Sequence, residues 1–178
     1  CGEYVSNEVL DFLKRNNLYP DFLELPHIDT FEFSDTQGKS VFLPLDLGGF
    51  GISRYQLDLW LYQLASEQGV KFLTGTTVTD LVFLEKEELF QVKLSDFQVL
   101  QVPVVLGAFG KRSKLDQVLE RPFFTKRSPY IGVKYHVLAE GSPNTVALHN
   151  LQGGYCGFNA IEEGKFNLCY LGNRDQLR

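Results

Sequence analysis

The sequence has no methionine, one tryptophan and only three cysteines in 178 residues. Cys1, Cys156 and Cys169 are odd in number and show no CxxC spacing, so neither a disulfide framework nor a thiolate metal site is expected. His27, His136 and His149 are scattered, with no HxxxH or HExxH spacing, and no metal is assigned. Nowhere does the chain approach the roughly 18 consecutive apolar residues of a membrane-spanning helix. Its N-terminus lacks the charged, apolar and small-residue zones of a signal peptide. Sparse cysteine fits a reducing, cytoplasmic setting, and a chain that begins at Cys1 reads as a piece of a longer polypeptide.

Excess positive charge is also missing. Lysine and arginine number 17 against 22 acidic residues, for a net charge of -5 and a pI near 5.2, which argues against an electrostatic nucleic-acid binder. The one basic cluster, Lys111-Arg112-Ser113-Lys114, is too short to reverse this. GxSxG, GxxxxGK and HxE with a downstream CxxC are all absent, which removes the hydrolase, P-loop and zinc-deaminase readings. Gly49-Phe50-Gly51 is not a GxGxxG, because Arg54 stands where the third glycine belongs.

What is present is aromatic and glycine-rich. Fifteen phenylalanines, eight tyrosines and sixteen glycines within 44% hydrophobic content favour a mixed or strand-rich globular fold. Residues 7–16 read as a short helix behind Ser6 or Asn7, and 28–34 with 40–45 as a hairpin around Asp35-Thr36-Gln37-Gly38-Lys39. Gly48, Gly49 and Gly51 are expected to break the chain after it. Ser53 and Gln56 make a capping-box pattern for a helix that Gly69 ends, with Leu57, Trp60, Leu61 and Leu64 on one apolar side. Strands are then expected at 70–73, 78–84, 89–94 and 99–106, the last of the buried kind. A brief helix at 113–119 and a linker at 123–129 lead to four strand-like runs at 130–138, 145–151, 154–161 and 166–172. Glu85, Glu87 and Glu88 fall in a hairpin turn and read as solvated.

The order of four segments carries a resemblance. Cys1-Gly2-Glu3, Ile52-Ser53-Arg54-Tyr55-Gln56-Leu57-Asp58, Val78-Thr79-Asp80-Leu81 and the run from Val105 through Gly107-Ala108-Phe109-Gly110 to Ser113 together resemble the flavoprotein monooxygenase superfold. The nearest members are the geranylgeranyl reductases and flavin-dependent halogenase-like oxidoreductases. The likeness covers about three quarters of the chain. It implies an α/β (α+β) fold with a partial FAD-binding, Rossmann-like lobe at 1–26 and 47–122. An antiparallel substrate-domain sheet would then take 27–46 and 123–178.

The resemblance also implies roles. Cys1, Gly2 and Glu3 would lie near the flavin ring, and Arg54 near the cofactor phosphates or ribose. Val78 would meet the adenine through its backbone, and Ala108 and Gly110 would sit by the pyrophosphate and ribitol. Phe109 departs from the aspartate usual in that turn and can make no side-chain hydrogen bond. Tyr155 and Phe158 match a glycine-rich strand of the substrate sheet, although Gly157, Asn159 and Ala160 replace the Trp, Phe and Pro of the reductase pattern. The expected function is an FAD-dependent reductase or monooxygenase acting on an apolar small molecule, with NAD(P)H as a possible electron donor. The alternative is a binding module without flavin, in which the aromatic sheet holds a hydrophobic ligand or partner.

Overall fold

The computed structural model describes residues 2–110, 113–122 and 128–176. Its elements are β1 (Tyr4–Ser6), α1 (Leu10–Arg15), β2 (His27–Ser34), β3 (Ser40–Gly51), α2 (Arg54–Glu67), β4 (Val78–Leu84), β5 (Leu89–Leu94), β6 (Val99–Val102), α3 (Leu115–Val118), β7 (Tyr130–Val137), β8 (Thr145–Leu151), β9 (Gly154–Ala160) and β10 (Phe166–Asn173). They fall into two compact units. One comprises Cys1–Val70 and Pro129–Arg178, the other Lys71–Ser128. Residues 1–26 and 47–70, expected beside the nucleotide, thus lie in the unit that holds the larger sheet.

That sheet has seven strands in the order β1-β3-β2-β8-β9-β10-β7. Every neighbouring pair is antiparallel except β2 and β8, which run parallel from Thr30↔Thr145 to Ser34↔His149. The first hairpin therefore joins the late sheet. Alternating apolar residues in these strands bury Ile28, Phe50, Ala147, Ala160, Phe166 and Cys169. The second unit carries the three-stranded antiparallel sheet β4-β5-β6 and the single turn of α3. No helix among the described residues is long and apolar enough to cross a membrane.

Three elements differ from the sequence expectation. Gly48, Gly49 and Gly51 do not break the chain, because β3 runs through them and pairs Gly49 with Ser6 and Gly51 with Tyr4. The glycines permit close approach: a Cβ on Gly49 would strike the Tyr4 ring, and one on Gly51 the Ala160 carbonyl oxygen. Residues 70–73 form no strand, since after Gly69 (φ +85°) the chain finds no strand to pair with. β6 stops at Val102, and Val104 and Leu106 are exposed, so the expected buried strand is a short edge strand paired only with β5.

Helix α2 is capped as its pattern predicts, with Ser53 Oγ accepting from Gln56 N at 3.1 Å. Leu57, Trp60, Leu61 and Leu64 are half-buried, yet Tyr55, Leu59 and Tyr62 are exposed on other sides, and no residue of the helix is fully buried. Apolar residues all round a helix are the pattern of one built to be covered on more than one side.

Candidate functional site

The sheet ends on β1 at one edge and β7 at the other, and one carboxylate joins the two. Glu3, beside β1, is buried, with its side chain closed to solvent. Its Oε1 accepts from Lys134 Nζ at 2.5 Å and from the Arg54 backbone N–H at 2.7 Å, and its Oε2 from His136 Nε2 at 2.6 Å. Its own carbonyl accepts from Ile52 N at 3.0 Å. Burial alone would raise the Glu3 pKa. The bonds from Lys134, the Arg54 amide and His136, with the Lys134 charge, reverse that and hold it below the ordinary carboxylate value.

A second carboxylate reaches the same helix start. Ser53 N donates to Oε2 of the buried Glu162 at 2.8 Å. Two of the free N–H groups that open α2 are thus satisfied by Glu3 and Glu162, and the positive end of its dipole faces two anions from the chain itself. No donor at Ser53 N or Arg54 N is left for a phosphate. The Arg54 guanidinium, for which the sequence suggested an anionic partner, pairs with Asp58 Oδ1 at 2.7 Å, and both side chains are more than half exposed.

Strand alternation turns Lys134 and His136 to one face of the sheet, together with Asn167 and Cys169 of β10 and Tyr155, Gly157 and Asn159 of β9. That face carries a cavity of about 320 Å³, walled by Gly2, Tyr4, Phe31, Tyr155, Gly157 and Cys169 among others. Phe158 also borders it. Its ring, however, stacks on Phe166 (centroids 4.7 Å apart, planes at 2°), and alternation turns it to the opposite face from Tyr155. Two buried amides line up beside His136: Asn167 Nδ2 donates to Asn159 Oδ1 at 3.1 Å, and Asn159 Nδ2 to the Ala160 carbonyl at 2.9 Å. Asn167 Oδ1 is buried and has no hydrogen bond.

The other sequence-selected residues lie in the second unit or outside the described chain. Cys1 falls outside it. Val78 opens β4, an edge strand of the small sheet. Ala108 and Gly110 (φ +69°) flank Phe109, whose ring folds back to where a Gly107 side chain would project and stands 5.9 Å from the Arg121 guanidinium. Further along, Asp116 is buried with neither carboxylate oxygen hydrogen-bonded, and Arg121 Nε lies 3.7 Å from Oδ1. Such an orphaned acceptor fits a ligand that brings hydroxyl or N–H donors. Among the described residues no group of His, Cys, Asp and Glu is arranged to hold a metal ion.

Lys134, His136, Glu162, Asn159, Asn167 and Asp116 were not picked out from the sequence. The only available signal was the alternation in Tyr130–Val137, which sets Lys134 and His136 on one face of a strand. Nothing local connects them with Glu3, 131 and 133 positions away.

No family model and no curated protein sequence matches the chain. Solved structures do. PqsL of Pseudomonas aeruginosa, described as a probable FAD-dependent monooxygenase, aligns over 100% of this chain and 52% of its own, at 17% identity and a TM-score of 0.76. The fold is that of the flavoprotein monooxygenases. A geranylgeranyl bacteriochlorophyll reductase-like protein of Thermoplasma acidophilum gives a TM-score of 0.77 at 14% identity over 99% of this chain and 47% of its own. The 2,6-dihydroxypyridine-3-hydroxylase of Arthrobacter nicotinovorans gives 0.74 at 18% over 97% and 46%. PqsL has also been solved with 2-aminobenzoylacetate. The chain spans about half the length of each of these proteins.

Proposed function

We propose that the chain is a fragment of an FAD-dependent oxidoreductase, of the reductase or monooxygenase type, acting on an apolar small molecule, with part of its FAD-binding lobe and its substrate sheet. The observation that carries this reading is the match of the whole chain to the flavoprotein monooxygenase fold. It is supported by an aromatic-walled cavity on the sheet, of the size that takes a small ligand. In this reading residues 1–26 and 47–122 serve the cofactor, and 27–46 and 123–178 the substrate, in a cytoplasmic setting.

FAD, when bound, supplies the two-electron redox chemistry, and NAD(P)H is the proposed electron donor. The residues offered to it are Arg54 through guanidinium N–H groups beyond the one given to Asp58, Val78 through its backbone, and Ala108 and Gly110 through the turn around Phe109. From the N-terminal segment Cys1 and the Gly2 backbone are offered. The Glu3 carboxylate is engaged elsewhere and contributes by holding that segment. Tyr155 offers the substrate an aromatic wall, whereas Phe158 offers backbone.

The test is the absorbance spectrum of the purified full-length protein that contains this chain, followed by titration with FAD and readout of flavin fluorescence. Flavin bands, and an affinity reduced about tenfold in Arg54→Ala, are expected; tenfold is about 1.4 kcal/mol. The Arg54–Asp58 pair is exposed, so the same substitution changes stability by less than about 0.5 kcal/mol. A colourless full-length protein that takes up no FAD refutes the reading in favour of a hydrophobic-ligand module without flavin. Unchanged affinity in Arg54→Ala leaves that residue a surface cation.

A further inference from the structure

The floor of the cavity on the seven-stranded sheet has a gap at its centre. Along β9, Tyr155 and Asn159 stand on either side of Gly157 and share its face. Across the strands Gly157 pairs with Leu148 of β8 and Cys169 of β10. All four of these residues line the cavity together with Gly157, so the side chain that glycine lacks leaves a slot framed on four sides. The backbone does not require glycine there. Gly157 has no left-handed φ, and a Cβ on it would meet Cys169 O at 3.8 Å, Cys169 Cβ at 3.9 Å and Ala147 O at 4.0 Å, which are ordinary contact distances. On nearby Gly154, by contrast, a Cβ would run into the Leu171 carbonyl oxygen. Glycine inside a strand weakens it, because it packs no side chain and loses more backbone freedom on folding. What Gly157 contributes in return is space.

The polarity of the lining selects further. No charged side chain lines the cavity, so an ion entering it loses water and gains no partner. The floor does carry one amide. Asn159 accepts at Oδ1 from Asn167 Nδ2 at 3.1 Å and gives one N–H to the Ala160 carbonyl at 2.9 Å. Both ends of the group are thereby fixed, and its second N–H is unspent among the described residues. A donor held in place before the ligand arrives suits an acceptor oxygen that the ligand brings. The Tyr4 hydroxyl does not compete for that role, since it donates to the Gly48 carbonyl at 3.0 Å.

We propose that Gly157 and Asn159 are the specificity-determining residues of this cavity, Gly157 for size and Asn159 for polarity. The ligand is an uncharged ring compound with a carbonyl oxygen: the ring fills the slot over Gly157, and the oxygen accepts from Asn159. Tyr4, Phe31 and Tyr155 supply aromatic walls for such a ring. The proposal rests on the oxidoreductase reading only in making that ligand its substrate.

The test compares three uncharged probes by ligand-observed NMR on the full-length protein that contains this chain. They are 2-acetonaphthalene, the one-ring ketone acetophenone, and 2-ethylnaphthalene, which has no acceptor. Gly157→Leu is expected to weaken 2-acetonaphthalene about tenfold relative to acetophenone, because a side chain in the slot removes room for the second ring. Asn159→Leu is expected to weaken 2-acetonaphthalene about tenfold relative to 2-ethylnaphthalene, because the ketone oxygen loses its donor. A loosened fold weakens all three probes alike, so an equal loss overturns the proposal, as does no loss or no binding of 2-acetonaphthalene up to its solubility. Should Gly157→Leu not fold, Gly157→Ala decides, since its Cβ stands at ordinary contact distance: preference moves toward acetophenone, and an unchanged ratio overturns the proposal. Should Asn159→Leu not fold, the Asn159 side-chain amide resonances decide, and a bound ketone that leaves them in place overturns it. These ratios need no flavin. A protein that holds FAD but does not discriminate the probes sinks this proposal alone, and one that discriminates them but takes up no FAD sinks only the oxidoreductase reading.

Discussion

Replacing Glu3 with glutamine tests the joint between the two edges of the sheet. The substitution preserves shape and removes the charge that Lys134, His136 and the Arg54 amide all address. Breaking a buried ion pair by removing one partner costs about 3–5 kcal/mol. Here the stranded Lys134 and His136 side chains are one-third open and recover part of their hydration, which puts the loss at the lower end, about 3 kcal/mol. For a chain of this size that is a fall in Tm of about 6–12 °C. Trp60 is the sole tryptophan and lies in the unit that contains Glu3, so urea or thermal unfolding followed by its fluorescence reads that unit directly. The pH dependence supplies a second check. The folded-state pKa of Glu3 is depressed, so its contribution is complete above the ordinary carboxylate value and is lost as pH falls through the depressed one. The gap between the unsubstituted chain and Glu3→Gln is therefore widest at neutral pH and closes in acid. An unchanged midpoint at neutral pH, or a gap that persists in acid, refutes the reasoning.

Two further outcomes follow from close packing and from an orphaned charge. Gly51→Ala drives a methyl group into the Ala160 carbonyl where β3 passes the end of β9, and a loss of about 1–3 kcal/mol is expected in Trp60-monitored unfolding; a neutral effect would mean that the strands separate freely. Asp116→Asn removes a buried charge that no hydrogen bond satisfies, so amide exchange in α3 should stay as protected or become more so. Loss of that protection would show that the 3.7 Å approach of Arg121 stabilises the turn more than burial of the carboxylate costs.

Local chemistry explains why much of the fold was legible. Ser53 caps α2, Asp35 to Lys39 turn the chain between β2 and β3, and alternating residues mark β7 to β10, because capping, turning and alternation are each settled within a few residues. The misreadings arose where a distant partner decides. Gly49 and Gly51 looked like chain breakers, but β1 and the Ala160 carbonyl lie against them and make them strand residues. The apolar run from Val99 looked buried, yet it is an edge strand beside β5 alone.

The candidate site divides along the same line. The sequence by itself determined that α2 begins at Ser53 with a cation in its first turn, and that Tyr155 lies on a glycine-rich strand. Only the tertiary structure decided that the N–H groups opening α2 belong to Glu3 and Glu162, that Arg54 pairs with Asp58, and that Lys134 and His136 close the sheet on Glu3. A capping box needs only three residues of spacing, whereas a buried carboxylate takes its donors from whichever strands the topology brings beside it, and no local pattern encodes that pairing.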